Sequence, residues 1–488
     1  MSDGPILRPI DPDAATPLGP TVASDRLVGV LGDWSSGGHG NLSRRLAQAF
    51  RHSIIGGALP AGTRLPAERR LAALLSVSRS TVTSALDELR SEGLLSSRQG
   101  RGTQVAGPPQ PGVTGDRVSA HFVSRPEGID LAAVVPTDGS HMPALAIRTE
   151  DLFSGAQLQP EGLPVLRDAL ARRFDAHHVP TRPGEVQVTH GAHHAIGLTL
   201  ASLVAPGRAV AMEDPTYPGM LDLVDHHRCR AVAIPGDRGG PDPEALARTL
   251  RREQPAVVYL QTGVHNPTGR TMGPARRRAL AAVLDEYGEA VVVEDDTLAD
   301  LVFAGRPRPS FAELCRLAPV VSVESTSKVA WATLRIGWLR ATGVVGEQIR
   351  RVRVATDLGA SVPSQLLTLQ LLPHLAEMAE TRRRTIGQGI DRAMARIADQ
   401  IDGWEVERPE GSSALWPRLP MADAAPFVAL ARRFGVHVTP GAAHLVEPGP
   451  DPHIRICVDR PTAHVDEGID RLAAAWRDAT ARAARNPA

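Results

Sequence analysis

Lysine is almost absent from this chain of 488 residues. Of its 54 basic residues, 53 are arginine, and the single lysine is Lys328. Arginine can replace lysine in surface charge, phosphate contacts and ion pairs, but it cannot form a Schiff base because its guanidinium stays protonated. A lysine retained against this composition indicates a site that requires a primary amine. The alternative is retention by chance, and the surrounding residues decide between the two.

Cysteines and long apolar runs are also scarce. Cys229, Cys315 and Cys457 lie far apart and in no metal-ligand spacing, which is typical of thiols in a reducing compartment. The N-terminus has no basic and then apolar signal segment, and no apolar run approaches membrane-spanning length. The sequence therefore predicts a cytoplasmic protein without a membrane partner.

Charge is unevenly distributed, although the formal net charge is zero. Residues 41–107 hold ten arginines against four carboxylates, a net charge of about +6, so the remainder carries about −6. A basic segment in an otherwise acidic chain is typical of a nucleic-acid-binding domain joined to a second domain.

The basic segment has the pattern of a small helical domain followed by a hairpin. Leucine, phenylalanine and isoleucine recur at helical spacing in "LSRRLAQAFRHSII", and two further helices are expected on either side of the turn "SVS". The stretch "LLSSRQGRGTQVA" predicts two short strands around a glycine-rich tip. This order predicts a winged helix-turn-helix over 39–106. Residues 1–38 are predicted to be disordered, except that "RLVGVLGDW" is expected to dock as a short helix.

The stretch "LPAERRLAALLSVSRSTV" resembles the GntR-type winged helix. A recognition helix needs short polar groups and an arginine at its start, where backbone N–H groups and side chains reach DNA together, and a wing tip can contact phosphate or the minor groove. The alternative to DNA binding is a small helical domain whose arginines form an ordinary solvent-exposed surface. The predicted DNA-binding residues are Arg69, Ser78, Arg79, Ser80, Thr81, Gln99, Gly100 and Arg101.

A Pro- and Gly-rich linker is predicted at 107–128, and beyond it the pattern changes. Apolar strand-like runs such as "AVVYLQTG" and "AVVVEDD" alternate with helical stretches. This alternation predicts an α/β domain over 129–488, with a mostly parallel central sheet and helices on both faces.

Several segments of this domain supply what a bound pyridoxal 5'-phosphate (PLP) requires. "EVQVTHGAHHAIGLTL" predicts a strand, a turn and a helix start, where N–H groups near Gly191, Ala192 and His193 can cradle a phosphate. Tyr217 in "EDPTYPG" can stack on the pyridine ring, and Asn266 in "QTGVHNPTG" can donate to the phenolic oxygen.

Two charged residues complete the set. Asp295 in "VVVEDDTLADL" can hold the pyridine nitrogen protonated, which makes the ring an electron sink. Arg455 in "PHIRICVDRP" can bind a carboxylate through its planar guanidinium. Each signal alone has an ordinary explanation as a turn, a strand end or a surface group. Six signals in this order, including the only lysine, indicate a PLP site.

The order of these segments resembles fold-type I aminotransferases over roughly 130–475. The stretch "STSKVAWATLRIGW" is similar to that family's S-x-S-K…LR-x-G signature. The resemblance implies that Lys328 carries the internal aldimine, that Ser325 and Arg335 bind the phosphate with Ser327 beside them, and that Arg455 binds a substrate or effector carboxylate. It also implies a smaller C-terminal α/β subdomain, from about residue 375.

The sequence departs from working aminotransferases at two places. The family usually has a tyrosine two or three positions after the pyridine-binding aspartate, where this chain has Thr297 and Leu298. A phosphate-contacting tyrosine is also usual near the position of Gln157. We expect these losses to permit PLP binding but to disfavour efficient transamination.

The histidines of "HGAHHA" allow two interpretations. His190, His193 and His194 are either metal ligands or polar residues at a helix start, and the second is favoured because no further ligand cluster lies near in sequence. No metal site is therefore predicted. His265 is expected to be a pocket-wall residue rather than a base.

A GntR-type DNA-binding domain, called the reader below, joined to an aminotransferase-like domain is the architecture of the MocR subfamily of transcription regulators. This chain resembles that subfamily. The resemblance implies a homodimer, usually domain-swapped, that binds double-stranded DNA at an operator. PLP on Lys328, alone or with an amino compound, is then expected to change the spacing of the two readers and so their affinity for paired half-sites. Two alternatives remain. One is a PLP-dependent aminotransferase with a fused winged helix, and the other is a degenerate fold that senses an effector without PLP.

Overall fold

The computed structural model divides the chain into two compact units, Met1–Val113 and Thr114–Ala488. The structure describes residues 27, 31, 34, 41–55, 59, 63–91, 94–98, 102–105, 117, 128–133, 136, 138–153 and 158–485. Among the described helices, none is both long enough and apolar enough to cross a membrane.

The first unit is built from three helices and a two-stranded hairpin. They are α1 (Leu42–Ile55), α2 (Glu68–Leu74), α3 (Arg79–Ser91), β1 (Leu95–Arg98) and β2 (Gly102–Val105). The two strands are antiparallel, with Leu95 opposite Val105 and Arg98 opposite Gly102. The predicted winged helix-turn-helix is confirmed.

Apolar residues at helical spacing build the core of this unit. Phe50 of α1 and Leu86 of α3 are fully buried in one cluster, since both lie on inward-facing stripes. Leu27 and Leu31, from the segment predicted to dock as a short helix, are buried in the same cluster. The rest of residues 1–38, apart from Trp34, lies outside the described residues.

The second unit alternates strands with helices along the chain. Its strands are β3 (Ile129–Asp130), β4 (Val186–Thr189), β5 (Ala209–Glu213), β6 (Arg230–Ile234), β7 (Gly236–Asp237), β8 (Gly240–Pro241), β9 (Val257–Gln261), β10 (Val291–Asp295), β11 (Val320–Ser325), β12 (Gly337–Arg340), β13 (Ala414–Leu415), β14 (Val436–His437), β15 (Thr439–Pro440) and β16 (Ile454–Cys457). Its helices are α4 (Thr149–Phe153), α5 (Pro164–Ala176), α6 (Ala192–Leu203), α7 (Pro218–His226), α8 (Pro243–Glu253), α9 (Pro274–Tyr287), α10 (Phe311–Leu314), α11 (Gly343–Thr356), α12 (Val362–Leu371), α13 (Leu375–Gln400), α14 (Ala425–Arg433) and α15 (Thr462–Arg485).

Seven strands form the central sheet, in the order β4-β12-β11-β10-β9-β5-β6. Every neighbouring pair is parallel except those that involve β12, which is antiparallel to both β11 and β4. The predicted mostly parallel sheet is therefore confirmed. In such a sheet, ligands bind beyond the carboxyl ends of the strands.

Helices cover both faces of the central sheet because successive strand residues point to opposite sides. Val210 and Met212 of β5 pack in a cluster with Ile196 of α6, whereas Ala211 between them packs in another with Leu280 of α9. Strands buried on both faces read as continuous apolar runs, which is the pattern that the sequence shows.

The C-terminal part forms the smaller subdomain expected from the family resemblance. Its three-stranded antiparallel sheet has the order β13-β16-β15. Ile390 of α13, Phe427 of α14 and Leu472 of α15 pack in one apolar cluster with Ile456 of β16. This sheet brings Arg455 to the edge of the central sheet's cavity.

Candidate cofactor site and DNA-binding surface

A cavity of about 360 Å³ lies beyond the carboxyl ends of the central strands. It gathers most of the residues that the sequence singled out, although they are spread over more than 260 positions of the chain. The predicted residues that line it are Ala192, His193, Tyr217, Asn266, Asp295, Ser327, Lys328, Arg335 and Arg455. Gly191 and Ser325 lie behind this lining.

One end of the cavity combines a helix start with a guanidinium. Gly191 precedes α6 with φ of 90°, a conformation that favours glycine. A Cβ atom on Gly191 would lie 3.1 Å from Nη2 of Arg335. Arg335 itself donates a hydrogen bond from Nη2 to the carbonyl oxygen of His190 at 2.7 Å. Exposed N–H groups of a helix start beside a fixed cation form an anion site.

Ser325 stabilises the turn that carries the lysine. Its Oγ accepts a hydrogen bond from the Ser327 amide at 3.1 Å and lies 3.1 Å from the carbonyl oxygen of Ile336. Ser327, two residues later, faces the cavity. The assignment of Ser325 to phosphate binding stays a prediction.

Both carboxylate oxygens of Asp295 accept hydrogen bonds from protein groups. The hydroxyl of Tyr259 donates to Oδ2 at 2.6 Å, and the backbone N–H of Thr297 donates to Oδ1 at 3.0 Å. Tyr259 is fully buried, and burial together with Asp295 raises its pKa well above the usual value. Tyr259 therefore stays a protonated donor that holds the Asp295 carboxylate in one orientation.

The backbone of Asn266 is held by the side chain of Gln261. The Asn266 N–H donates to Oε1 of Gln261 at 3.0 Å, and Nε2 of Gln261 donates to the Asn266 carbonyl at 3.1 Å. The buried Oδ1 of Asn266 has no hydrogen-bond partner among the described residues. Because buried polar groups are usually satisfied, this amide is suited to receive a ligand.

Tyr217 lies against His193 on the cavity wall. The two rings meet edge to face with centroids 6.3 Å apart, and the Tyr217 hydroxyl is 3.4 Å from Nδ1 of His193. Burial and the nearby Arg335 lower the pKa of His193 to about 4, so its ring is neutral at neutral pH. A neutral ring beside the tyrosine leaves Arg335 as the cation at this end.

Lys328 lies in a strongly desolvated position. Burial and the neighbouring guanidinium of Arg455 lower the pKa of its amine to about 8. Burial lowers the pKa of Arg455 to about 10, so that side chain is still cationic at neutral pH. An amine with a pKa near 8 is partly unprotonated at neutral pH, which is the form that reacts with an aldehyde.

Both residues that replace the family's tyrosine line the cavity. Thr297 and Leu298 are part of its wall, and Oγ1 of Thr297 is buried without a partner among the described residues. These two positions therefore lack the tyrosine phenol that the family places near the cofactor's phenolic oxygen. Gln157 lies outside the described residues.

Tertiary structure brings a third potential ligand to two of the histidines. Nε2 of His190 and Nε2 of His194 lie 3.4 Å and 3.3 Å from Oδ2 of Asp357. However, Nδ1 of His194 accepts a hydrogen bond from the His190 amide at 3.1 Å, so Nδ1 carries no proton. A neutral imidazole that binds metal through Nε2 needs that proton. This geometry favours the interpretation as polar residues at a helix start.

The DNA-binding prediction falls on an exposed surface of the first unit. Arg69, Ser78, Arg79 and Ser80 are exposed, and Thr81 is half-buried. Ser78 also caps α3, since its Oγ accepts the Thr81 N–H at 3.1 Å. The wing-tip residues Gln99, Gly100 and Arg101 lie outside the described residues.

Ion pairs within this unit engage three of its acidic residues, Glu68, Asp87 and Glu88. Arg90 binds Glu68 at 2.9 Å and Asp87 at 2.5 Å, and Arg51 binds Glu88 at 3.0 Å. Neither Arg69 nor Arg79 forms an ion pair with another described residue. Their charge is available for phosphate and base contacts.

Sequence reasoning missed Tyr259 and Gln261. Each belongs to β9, and each positions a predicted cofactor residue from a neighbouring segment. The only signal was the presence of a phenol and an amide in the otherwise apolar run "VVYLQ".

Comparisons with known proteins identify both units. Residues 154–472 match the family model "Aminotransferase class I and II", and residues 42–105 match "Bacterial regulatory proteins, gntR family". A relative 30% identical is the vitamin B6 salvage pathway transcriptional repressor PtsJ of Salmonella typhimurium, with 64% of this chain and 70% of that protein aligned. Another, 28% identical, is the probable rhizopine catabolism regulatory protein MocR of Rhizobium meliloti, with 69% and 72% aligned.

Solved structures show the same fold for the second unit. LysN, the α-aminoadipate aminotransferase of Thermus thermophilus, complexed with N-(5'-phosphopyridoxyl)-L-leucine, superposes with a TM-score of 0.65 at 26% identity. The match covers 73% of this chain and 93% of LysN. A winged helix joined to this fold defines a class of DNA-binding regulators. The chain belongs to the aminotransferase class I and II family and combines that domain with a gntR-family domain, the architecture of MocR-type transcription regulators.

Proposed function

We propose that this regulator binds PLP through Lys328 and that the bound cofactor controls its affinity for DNA. PLP supplies an aldehyde that reacts with amines and a ring that withdraws electrons when its nitrogen is protonated. The observation that carries the proposal is the convergence of the chain's single lysine with Asp295, Arg335 and Arg455 in one cavity.

The cavity residues fit the parts of PLP. Arg335, Ser327 and the N–H groups at the start of α6 would hold the phosphate, since this end is an anion site. Asn266 lines the cavity, and its side-chain N–H would donate to the phenolic oxygen. Asp295, oriented by Tyr259, would hold the ring nitrogen, and Tyr217 would cover the ring.

Two residues would act when PLP and an amino compound enter the site. Lys328 would provide its unprotonated amine to the PLP aldehyde, and its lowered pKa makes that form available near neutral pH. Arg455 is fully buried and cationic, so it would bind and orient the carboxylate of an incoming amino acid.

Regulation requires two winged helices whose spacing depends on the effector domain, which is the PLP-binding second unit. We infer a homodimer in which PLP, alone or with an amino compound, favours one of two arrangements of the effector domains. Each arrangement would set a different distance between the two winged helices, and hence a different affinity for paired half-sites.

The test records two properties of one preparation, with and without added PLP. We expect an absorbance band at about 420 nm, as PLP bound to lysine shows in general, and a DNA footprint that changes when PLP is added. A band that persists in Lys328→Ala would overturn the covalent assignment. An unchanged footprint would overturn the regulatory role.

A second candidate function is transamination, which the shared cavity of Lys328, Asp295 and Arg455 favours. Thr297 and Leu298 count against it, because neither provides the phenol that the family places there. Steady-state turnover with an amino acid and a 2-oxo acid discriminates the two functions. Turnover at typical enzyme rates, about 1 s⁻¹ or faster, would establish an enzyme.

A further inference from the structure

A second cavity, of about 320 Å³, lies beside the proposed cofactor site and takes no part in the function proposed above. It opens at the carboxyl ends of β5, β6 and β9, the edge at which α/β sheets bind ligands. Gln261 lines both cavities. The charged residues that line the second cavity are Glu213, Asp214, Asp237, Arg238 and Arg270.

The inner end of this second cavity carries a buried carboxyl group that forms no ion pair with a described residue. Glu213 is 6% exposed, and its Oε2 accepts a hydrogen bond from the backbone N–H of Gln261 at 2.8 Å. No described residue forms an ion pair with it. Burial and the nearby Asp295 raise its pKa to about 8. Glu213 is therefore mostly protonated in the empty cavity at neutral pH, and an ammonium group placed beside it would favour its ionised form.

Asp214 adds a second carboxyl group on the same side. Its Oδ1 accepts a hydrogen bond from the Val446 amide at 3.0 Å, and no described residue forms an ion pair with it. Asp237 differs, because it is paired with Arg276 at 2.8 Å. Two neighbouring carboxyl groups without cations therefore lie at the end of β5.

The outer end of the second cavity carries two guanidiniums with N–H donors that are not used by described residues. The guanidiniums of Arg238 and Arg270 each donate one hydrogen bond to the same half-exposed carboxylate, Glu407, and to no other described residue. A guanidinium has five N–H donors, so both arginines keep donors for a second carboxylate. His265, which also lines the cavity, is neutral because burial lowers its pKa to about 4.

We propose that this second cavity binds a zwitterionic amino acid as an effector, with its ammonium group at Glu213 and Asp214 and its carboxylate at Arg270 and Arg238. An ammonium group beside Glu213 and Asp214 would favour their ionised forms, and the two guanidiniums would bind a carboxylate, so a ligand that carries both charges would bind more tightly than a simple amine or a simple anion. The proposal stands apart from PLP binding, because none of these four residues lines the cofactor cavity.

The same geometry supplies a route from this ligand to the cofactor site. An occupant of the second cavity would contact Gln261, whose side chain holds the backbone of Asn266 through two hydrogen bonds. Any displacement of the Gln261 side chain would therefore move Asn266, which lines the cofactor cavity. Occupancy of one site would alter affinity at the other, and the coupling would be reciprocal.

The test uses the full chain carrying Lys328→Ala, without PLP, so that covalent chemistry at the first site is removed. Isothermal titration calorimetry is performed with the standard L-amino acids, β-alanine and 5-aminovalerate, one at a time. We expect at least one to bind. Glu213→Gln and Arg270→Gln, each added to this variant, should weaken binding by about tenfold or more, as expected for loss of a charged hydrogen bond.

Matched controls separate this site from general effects of charge. Glu380→Gln and Arg392→Gln remove one carboxylate and one guanidinium from ion pairs on helix α13 and should leave binding unchanged. Circular dichroism would confirm that each variant is folded. The proposal is overturned if no compound binds, if inorganic phosphate or a simple amine binds as tightly, or if neither test variant weakens binding. None of these outcomes affects the assignment of Lys328, which the borohydride experiment below tests separately.

Discussion

Lys328 is the residue whose chemistry can be measured most directly. Burial and Arg455 lower its pKa to about 8. The fraction of unprotonated amine therefore rises about tenfold per pH unit below pH 8 and levels off above it. The initial rate of covalent PLP attachment should follow this curve between pH 6 and pH 9. The measurement is the pyridoxyl mass on the peptide containing Lys328 after a borohydride quench.

Arg455 provides the control for this pH dependence. Removing a neighbouring cation makes protonation of Lys328 easier, so Arg455→Gln should move the midpoint of the attachment rate to higher pH. Lys328→Ala should show no attached mass at any pH. A wild-type midpoint near 10.5, the usual value for lysine, would contradict the desolvated environment assigned to this amine.

Tyr259 is predicted to position Asp295 rather than to contact the cofactor. Tyr259→Phe removes the hydroxyl that donates to Asp295 Oδ2 at 2.6 Å and leaves a half-buried carboxylate oxygen short of a donor. We expect a loss of about 1–3 kcal/mol in the free energy of unfolding, a weaker affinity for PLP and a shifted absorbance band. Urea unfolding and a PLP titration followed by absorbance measure these effects.

Tyr287→Phe is the matched control for Tyr259→Phe. Tyr287 lies at the end of α9, where its hydroxyl accepts a hydrogen bond from the exposed side chain of Arg251. Its removal should change neither the PLP affinity nor the visible spectrum. Equal effects of the two variants on the spectrum would reject a specific role for Tyr259.

At the scale of elements, we expect the start of α6 to bind the phosphate of PLP. Gly191→Ala places a Cβ atom 3.1 Å from the Arg335 guanidinium and strains a backbone with φ of 90°. We expect PLP affinity to fall by about tenfold or more, since both the helix start and Arg335 must shift. Affinity is measured by absorbance titration.

Gly207→Ala separates backbone strain from loss of the anion site. Gly207 has φ of 81°, and a Cβ atom there would meet nothing within 4 Å. Both variants should lose on the order of 1–2 kcal/mol of stability from the unfavourable φ. Only Gly191→Ala should lose PLP affinity, and an equal loss in both variants would show that strain alone is responsible.

The start of α3 is the corresponding element of the first unit. Arg79 is exposed and forms no ion pair with another described residue, so its guanidinium is available to a base edge or a phosphate. Arg79→Ala should cost about 1–3 kcal/mol of specific DNA binding, measured by gel shift at fixed salt. Arg392→Ala, on helix α13 of the other unit, should have no effect, and unchanged affinity in Arg79→Ala would reject this surface.

At the scale of the whole molecule, the proposal requires a dimer that reads two half-sites. We expect light scattering to give twice the chain mass of 51.9 kDa. An operator with one half-site scrambled should bind at least about tenfold more weakly than the intact one, because only one reader then makes base contacts. A monomer with equal affinity for both DNAs would contradict the coupling of effector and reader.

Much of the architecture is encoded locally and was predictable for that reason. Helical spacing in "LSRRLAQAFRHSII" and doubly buried strands such as "AVVVEDD" set the type of each element through short-range periodicity. The lone lysine and the segments around it indicated the cofactor residues, because PLP chemistry requires particular side-chain types in a particular chain order. The predicted domain boundaries remain predictions.

Only the tertiary structure decided which side chains support those residues. Tyr259 and Asp295 are 36 positions apart, and His194 and Asp357 are 163 apart, so their contacts depend on strand register and helix packing rather than on any local pattern. The second cavity arises in the same way, from loops that follow three separate strands. A sequence specifies the groups that a site requires, but distances between remote side chains exist only once the sheet has aligned the ends of its strands.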